Sequence, residues 1–85
     1  MPEIARIDGI RITMYFDEAD HGWAHFHATK AGEDASIDIV TGLVIEGSLP
    51  AGDLKKVREW GDEHRDELLE RWERARSHER IDPVT

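Results

Sequence analysis

The stretch that decides the fold is HFHATKAGEDASIDIV, residues 25–40. Apolar and polar side chains alternate on both sides of Gly32, as they do in two half-buried strands joined by a tight turn. We therefore expect strands at about 24–30 and 34–40, and a β-hairpin between them.

The same pattern predicts how the two strands pair. A two-residue turn formed by Gly32 and the following glutamate suits a type II′ turn, which requires glycine first. This turn sets Phe26 opposite Ile39 on an apolar face and His27 opposite Asp38 on a polar face. Apolar residues then meet apolar ones and polar residues meet polar ones, as a correct register requires.

Further strands are expected on both sides of this hairpin. Residues 10–16 alternate apolar and polar side chains, a shorter strand precedes them at residues 3–7, and a last short strand follows at about 43–46. Leu43 and Ile45 of that last strand are expected on the apolar face. The sequence thus predicts an antiparallel β-meander of four to five strands.

The C-terminal third has the 3.6-residue period of an amphipathic helix, from about residue 50 to about residue 77. A helix of this kind packs its apolar stripe on one face of the sheet. The predicted class is therefore α+β. A single domain spans residues 1–85, with strands over about 3–46, the helix over about 50–77 and a short C-terminal tail.

The predicted helix is long for so small a protein. A straight helix of this span would measure about 40 Å, whereas a globule of this size is roughly 30 Å across. We expect the helix either to break between Gly61 and Arg65 or to overhang the sheet. An overhanging surface of Leu68, Leu69 and Trp72 would need a partner, either another protein or a second copy of the chain.

Charge and composition restrict the class of protein. The formal net charge of the 85 residues is −8, and residues 31–49 carry four acidic residues and no basic one. This balance disfavours nucleic acid as a partner, because phosphate contacts require basic residues. The chain contains no cysteine, no apolar run of the roughly 20 residues that span a bilayer and no signal-peptide pattern. We expect a cytoplasmic protein with no membrane contact.

Two histidines make the polar face of the sheet the first place to look for chemistry. His25 and His27 share this face, because side chains alternate along a strand. Tyr15 and Asp38 are expected beside them for acid–base work, and Arg11 could hold a phosphate, as in a metal-independent ribonuclease. The alternative is an ordinary solvated sheet face without catalytic function.

The same histidines give a third interpretation, a metal site. Residues i and i+2 on a strand project to the same side about 7 Å apart, so both imidazoles could bind one ion. A zinc site needs at least three protein ligands, and His21 or Asp38 would have to complete it. No cofactor is predicted.

Ordered motifs along the chain resemble the bacterial family known as domain of unknown function 4160. The motifs are Met1-Pro2-Glu3-Ile4, Gly9-Ile10, Met14-Tyr15-Phe16, Asp20-His21, His25-Phe26-His27, Thr41-Gly42, Gly47-Ser48-Leu49-Pro50, Glu59-Trp60, His64, Glu67-Leu68, Trp72, Ile81 and Pro83. One departure is Gly22-Trp23-Ala24, where the family usually has prolines. The resemblance covers nearly the whole chain.

The resemblance implies little about activity, because the family has no established one. Its genes often lie beside that of another small domain, in an arrangement similar to a toxin–antitoxin pair. The leading hypothesis is therefore a small cytoplasmic interaction module, for example one half of such a pair. A histidine-dependent ribonuclease toxin that uses His25 and His27 is the first alternative, and a metal-binding protein is the second.

Overall fold

The alternating segments form a sheet whose strands follow the order of the chain. A computed structural model describes residues 3–15 and 23–84. The strands are β1 (Glu3–Ile7), β2 (Ile10–Thr13), β3 (His25–Lys30), β4 (Glu33–Asp38) and β5 (Val44–Gly47), and the helices are α1 (Ala51–Glu63) and α2 (Arg65–Arg76). Neighbouring strands are antiparallel, in the order β1-β2-β3-β4-β5. The predicted α+β class and the meander are confirmed.

The core combines apolar side chains of the sheet with those of both helices. It comprises Ile4, Ile10, Ile12, Met14, Phe26, Ala28, Ala35, Ile37, Ile39, Leu49, Val57, Leu68, Trp72, Ala75, Ile81 and Val84. Phe26 is central, because its ring meets the edge of the Trp60 ring of α1 at 5.9 Å between centroids. Such an aromatic pair adds about 0.5–1.5 kcal/mol beyond the area it buries.

The β3–β4 turn is not the predicted one. Ala31 and Gly32 form it, and both have positive φ, 51° and 83°. Two consecutive residues with positive φ define a type I′ turn, whose twist matches that of the flanking strands. The predicted turn began one residue later, so the predicted pairing of the strands is wrong by two residues.

The corrected register changes the partners and keeps the faces. Phe26 pairs with Ile37, His27 pairs with Ser36, and Asp38 lies opposite residue 25. A shift of two residues returns each side chain to the same side of a pleated strand. Phe26 is therefore buried as predicted, but the predicted pairing of His27 with Asp38 is wrong.

The single long helix is replaced by two helices that meet at His64. This residue has φ −114° and ψ 19°, outside helical geometry, and it closes α1 and precedes α2. The break lies within the predicted 61–65 window, and the molecule is 33 Å in its longest dimension. The second helix turns onto the core, because Leu68 and Trp72 are 0% and 5% exposed.

The C-terminal tail is held by α2 and reaches the β1 edge of the sheet at Ile4. The Arg71 side chain of α2 donates hydrogen bonds to the carbonyl oxygens of Asp82 and Pro83, at 2.9 and 3.1 Å. The Val84 amide then donates to the Ile4 carbonyl oxygen at 2.7 Å. At Ile4, a backbone acceptor of the β1 edge is thus satisfied by the chain itself.

Candidate functional site

Three aromatic side chains meet on the polar face of the sheet, and we name them the histidine cluster: Tyr15, His25 and His27. The ring of His27 lies between the other two, with centroids 5.0 Å from Tyr15 and 5.3 Å from His25. Strand pairing explains this, because Thr13 lies opposite His27 and Tyr15 follows two residues later. The structure therefore brings together three of the five predicted catalytic residues.

His27 faces β4 through its Nδ1 atom. This nitrogen is 3.3 Å from the Ser36 hydroxyl and 3.8 Å from a carboxylate oxygen of Asp34. The His27 side chain is only 15% exposed, whereas that of Asp34 is 59% exposed. Ser36 and Asp34, and not Asp38, are thus the β4 side chains beside this imidazole. The sequence did not predict these neighbours, because the predicted register paired His27 with Asp38 and not with Ser36.

His25 joins the sheet to the second helix. Its Nδ1 lies 2.7 Å from the Trp23 carbonyl oxygen, which can only accept, so in this hydrogen bond the imidazole donates. The same ring lies 5.1 Å from the Trp72 ring between centroids. His25 is therefore fixed on two sides by the fold, which limits the orientations available to its Nε2 atom.

The Asp38 side chain forms hydrogen bonds within the β4–β5 turn. One of its carboxylate oxygens accepts hydrogen bonds from the amides of Val40 and Thr41, at 2.8 and 2.9 Å. A side chain that satisfies turn amides in this way stabilises the turn itself. This arrangement gives Asp38 a structural role and does not pair it with His27.

Arg11 lies on the polar face and is paired with Glu3 of β1. It sits opposite Thr29, and its guanidinium is 3.3 Å from the Glu3 carboxylate. Glu3 also accepts a hydrogen bond from Arg6, which holds the pKa of the Glu3 carboxyl below its usual range. Arg11 is half exposed, two residues along β2 from Thr13 and so about 7 Å from the strand position facing His27.

Within the described residues, the predicted metal site of His25 and His27 has no third ligand. Over residues 3–15 and 23–84, no group of three or more histidine, aspartate or glutamate side chains is arranged to hold an ion. The proposed third ligand, His21, lies outside the described residues.

Thr13 is a feature of this face that the sequence does not reveal. It is 2% exposed, and its hydroxyl oxygen has no hydrogen-bond partner within the described residues. A buried hydroxyl without a partner costs free energy. The alternating pattern of β2 marks Thr13 only as a polar-face residue, so nothing in the sequence predicted its burial.

The second notable surface lies at the edge of the sheet formed by β5, on the other side of the sheet from β1. We name it the β5 edge: Val40, Leu43, Val44 and Ile45. These side chains are 59, 57, 37 and 41% exposed. The sequence predicts Leu43 and Ile45 on the apolar face, but Val44 is the residue opposite the buried Ile37, and both predicted residues are exposed. The register shifts between Ser36 and Ile37, so the regular alternation expected from the sequence is broken at this point.

A groove separates the β5 edge from α1. Its volume is about 440 Å³, and its lining includes the apolar side chains of Leu43, Val44 and Leu54. Lys55 and Arg58 line it together with two acidic residues of α1. A groove with both apolar and charged side chains beside an exposed edge strand is a place where another polypeptide can bind.

The fold and these two surfaces define a small α+β protein with a five-stranded antiparallel meander. The profile of the family described as "Domain of unknown function (DUF4160)" matches residues 9–73, and the chain belongs to this family. The match extends from the turn before β2 nearly to the end of α2. Searches of curated proteins and of solved structures give no match.

The described residues contain no helix with the length and apolar character needed to cross a bilayer.

Proposed function

We propose that this protein is a protein-interaction module, one member of a pair of the toxin–antitoxin kind, and that its partner binds at the β5 edge. The supporting observation is the cluster of exposed apolar side chains on that edge. Proteins that act alone rarely leave such a patch open, because it promotes association. A cysteine-free chain suits a reducing compartment, and a cytoplasmic location is part of the proposal.

The two edges of the sheet support this choice of surface. At the β1 edge, the Ile4 carbonyl is satisfied by the tail residue Val84. At the other edge, β5 has β4 as its only neighbour within the described residues. An open apolar edge strand is a template for pairing with another chain, whereas a covered edge is not.

The helix surface predicted from the sequence is a weaker choice. Leu68 and Trp72 are buried in the core of the same chain, and Leu69 packs against that core. In this conformation, these side chains have little surface to offer a partner. The proposal of a partner protein therefore moves from the second helix to the β5 edge.

Light scattering of the protein alone, and then mixed with the product of the adjacent gene, tests the proposal. We expect a complex with the mass of both chains. Ile45→Lys should weaken it about 10- to 100-fold, because burial of an isoleucine contributes about 1.5–3 kcal/mol. Trp23→Ser is the matched control, since Trp23 is 71% exposed and lies outside the proposed site. A monomer that ignores the adjacent product would contradict the proposal.

A second candidate function is histidine-dependent cleavage of RNA. The observation that favours it is the contact between the rings of the histidine cluster. Two imidazoles can divide the roles of general base and general acid, and Arg11 on the same face could attract the phosphate. The net charge of −8 opposes it, because an RNA substrate is repelled except at a local basic patch.

Expression of the wild type beside His27→Ala, with RNA cleavage and growth as readouts, tests this second candidate. His78→Asn is the matched control, because His78 is exposed after α2 and its positive φ of 55° suits asparagine. Cleavage that is lost only in His27→Ala would support it, and equal growth without cleavage would remove it. Elemental analysis of protein purified without a histidine tag tests the metal alternative.

A further inference from the structure

We infer that the partner contributes an extended strand that pairs with β5 as a sixth strand of the sheet, with apolar side chains toward α1 and basic side chains toward the polar face. This inference rests on the proposed function and specifies the chemistry of the partner. Three features of the β5 edge carry it: its backbone, its groove and its charge.

Within residues 3–15 and 23–84, β4 is the strand that pairs with β5. The Ser48 amide donates to the Asp34 carbonyl oxygen at 3.0 Å, and the Asp38 amide donates to the Leu43 carbonyl oxygen at 2.9 Å. These two bonds hold both ends of the strand against β4. In a strand, successive backbone groups point to opposite edges. No other strand of the described residues pairs with the outward β5 amides and carbonyls, so these can receive an incoming strand.

The groove sets the character of one side of that strand. An added strand would run about 4.8 Å beyond β5, next to the space between β5 and α1. Val44 lies opposite the buried Ile37, so its side chain points to the helix side. Leu43 and Leu54 line the same groove, together with charged side chains of α1. We therefore expect apolar side chains at the partner positions that face Val44 and Leu43.

The polar face sets the character of the other side. Glu46 lies opposite Ser36, and the two residues share a cleft of about 270 Å³ with Asp34 and His27. Residues 31–49 contain no lysine or arginine, so the β4–β5 part of this face presents acidic side chains without a basic residue of its own. Lysine or arginine is the complementary choice for the remaining partner positions.

A second copy of this chain does not meet these requirements. Its own β5 strand would bring another Glu46 and no cation, because residues 31–49 lack basic residues. Its β1 strand carries Arg6, but the outer edge of β1 is occupied where Val84 binds Ile4. The occupant is therefore a segment of a different protein.

Synthetic peptides provide the test, with fluorescence anisotropy as the readout. The probe is a seven-residue peptide in which valine alternates with lysine. Its controls are a shuffled peptide of the same composition, an alternating valine–glutamate peptide, and the probe with alternate amides N-methylated. We expect the probe to bind at least tenfold more tightly than each control, because only the probe combines the alternation, the charge and the free amides.

Charge reversal on the protein sharpens the test. Glu46→Lys should reverse the preference, so that the valine–glutamate peptide binds more tightly than the valine–lysine peptide. Glu79→Lys is the matched control, because it makes the same change in net charge in the exposed C-terminal region. It should leave the preference as in the wild type.

Several outcomes would overturn the inference. Equal binding of the probe and the shuffled peptide would show attraction by net charge alone. A dimer of the protein alone that Ile45→Lys disperses would make a second copy the occupant. A complex with the adjacent gene product that Ile45→Lys weakens, while the probe and its N-methylated form bind equally, would overturn the inference and leave the proposed function intact. Equal binding of that product to the wild type and Ile45→Lys would overturn both. Absence of any complex would overturn the proposed function itself.

Discussion

Gly47 holds the end of β5 against β4, and its replacement by alanine should detach that end. The residue has φ +78°, and a Cβ atom placed on it would lie 2.1 Å from the Asp34 carbonyl oxygen. Real Cβ atoms do not approach a backbone oxygen so closely. Gly47→Ala therefore forces either β5 or β4 to move at the point where they pair.

The size of the effect follows from two separable costs. A residue with a side chain at this positive φ costs about 1–2 kcal/mol, and a steric overlap inside a packed structure adds about 1–3 kcal/mol. We expect Gly47→Ala to lower the free energy of unfolding by about 2–5 kcal/mol. Gly32→Ala is the matched control, since Gly32 has φ +83° and a Cβ atom placed on it would have no neighbour within 4 Å. Gly32→Ala should lose only the roughly 1–2 kcal/mol that a side chain costs at positive φ.

Urea denaturation of both variants, followed by tryptophan fluorescence, measures the difference. The Gly47 variant should be less stable than the Gly32 variant by at least about 1 kcal/mol, or about 4–8 °C in melting temperature for a domain of this size. Gly47→Ala should also weaken binding of the partner, because the β5 edge would be displaced. Equal stability losses in the two variants would refute the close approach of β5 to β4.

Three further substitutions test the packing and the electrostatics, each by urea denaturation. Gly61→Ala should raise the free energy of unfolding by about 0.5–1 kcal/mol, because its Cβ would meet the Phe26 ring at an ordinary 3.7 Å; a loss of stability would show that the helix packs more closely. Thr13→Val should stabilise by about 1 kcal/mol if the buried hydroxyl is unpaired, and a destabilised variant would reveal a partner. The hydrogen bond from Arg74 lowers the pKa of Glu70 from its ordinary 4.5, so this carboxylate stabilises the fold above that pH and loses its effect as the pH falls through the lowered value. The stability difference between the wild type and Glu70→Gln should shrink on acidification, and a constant difference would contradict this.

The hairpin shows how far the sequence predicts the fold. Alternation identifies both strands and places Phe26 inside, because this depends only on which side of the strand each residue occupies. The choice of turn is harder to predict from sequence. Turns that begin at Ala31 or at Gly32 bury the same residues, and they differ only in the pairing. The structure uses Ala31 with positive φ, a conformation that alanine propensity alone disfavours.

The site was less predictable than the fold, because it depends on tertiary packing. The shift of two residues replaces Asp38 by Ser36 beside His27, and local sequence does not decide between these pairs. Leu43 and Ile45 have the apolar character of core residues, yet they are exposed. Whether such residues are covered depends on where the two helices lie, and a periodic pattern does not specify that.

Hydrogen exchange of the complex with the adjacent gene product locates the partner on the molecule. If the partner strand pairs with β5, the amides of Val44–Gly47 should exchange more slowly in the complex than in the free protein, and those of β1 should change little. Ile45→Lys should remove this protection, and Trp23→Ser should retain it. Protection centred on His25 and His27 with β5 unchanged would contradict the account and would place the partner at the histidine cluster.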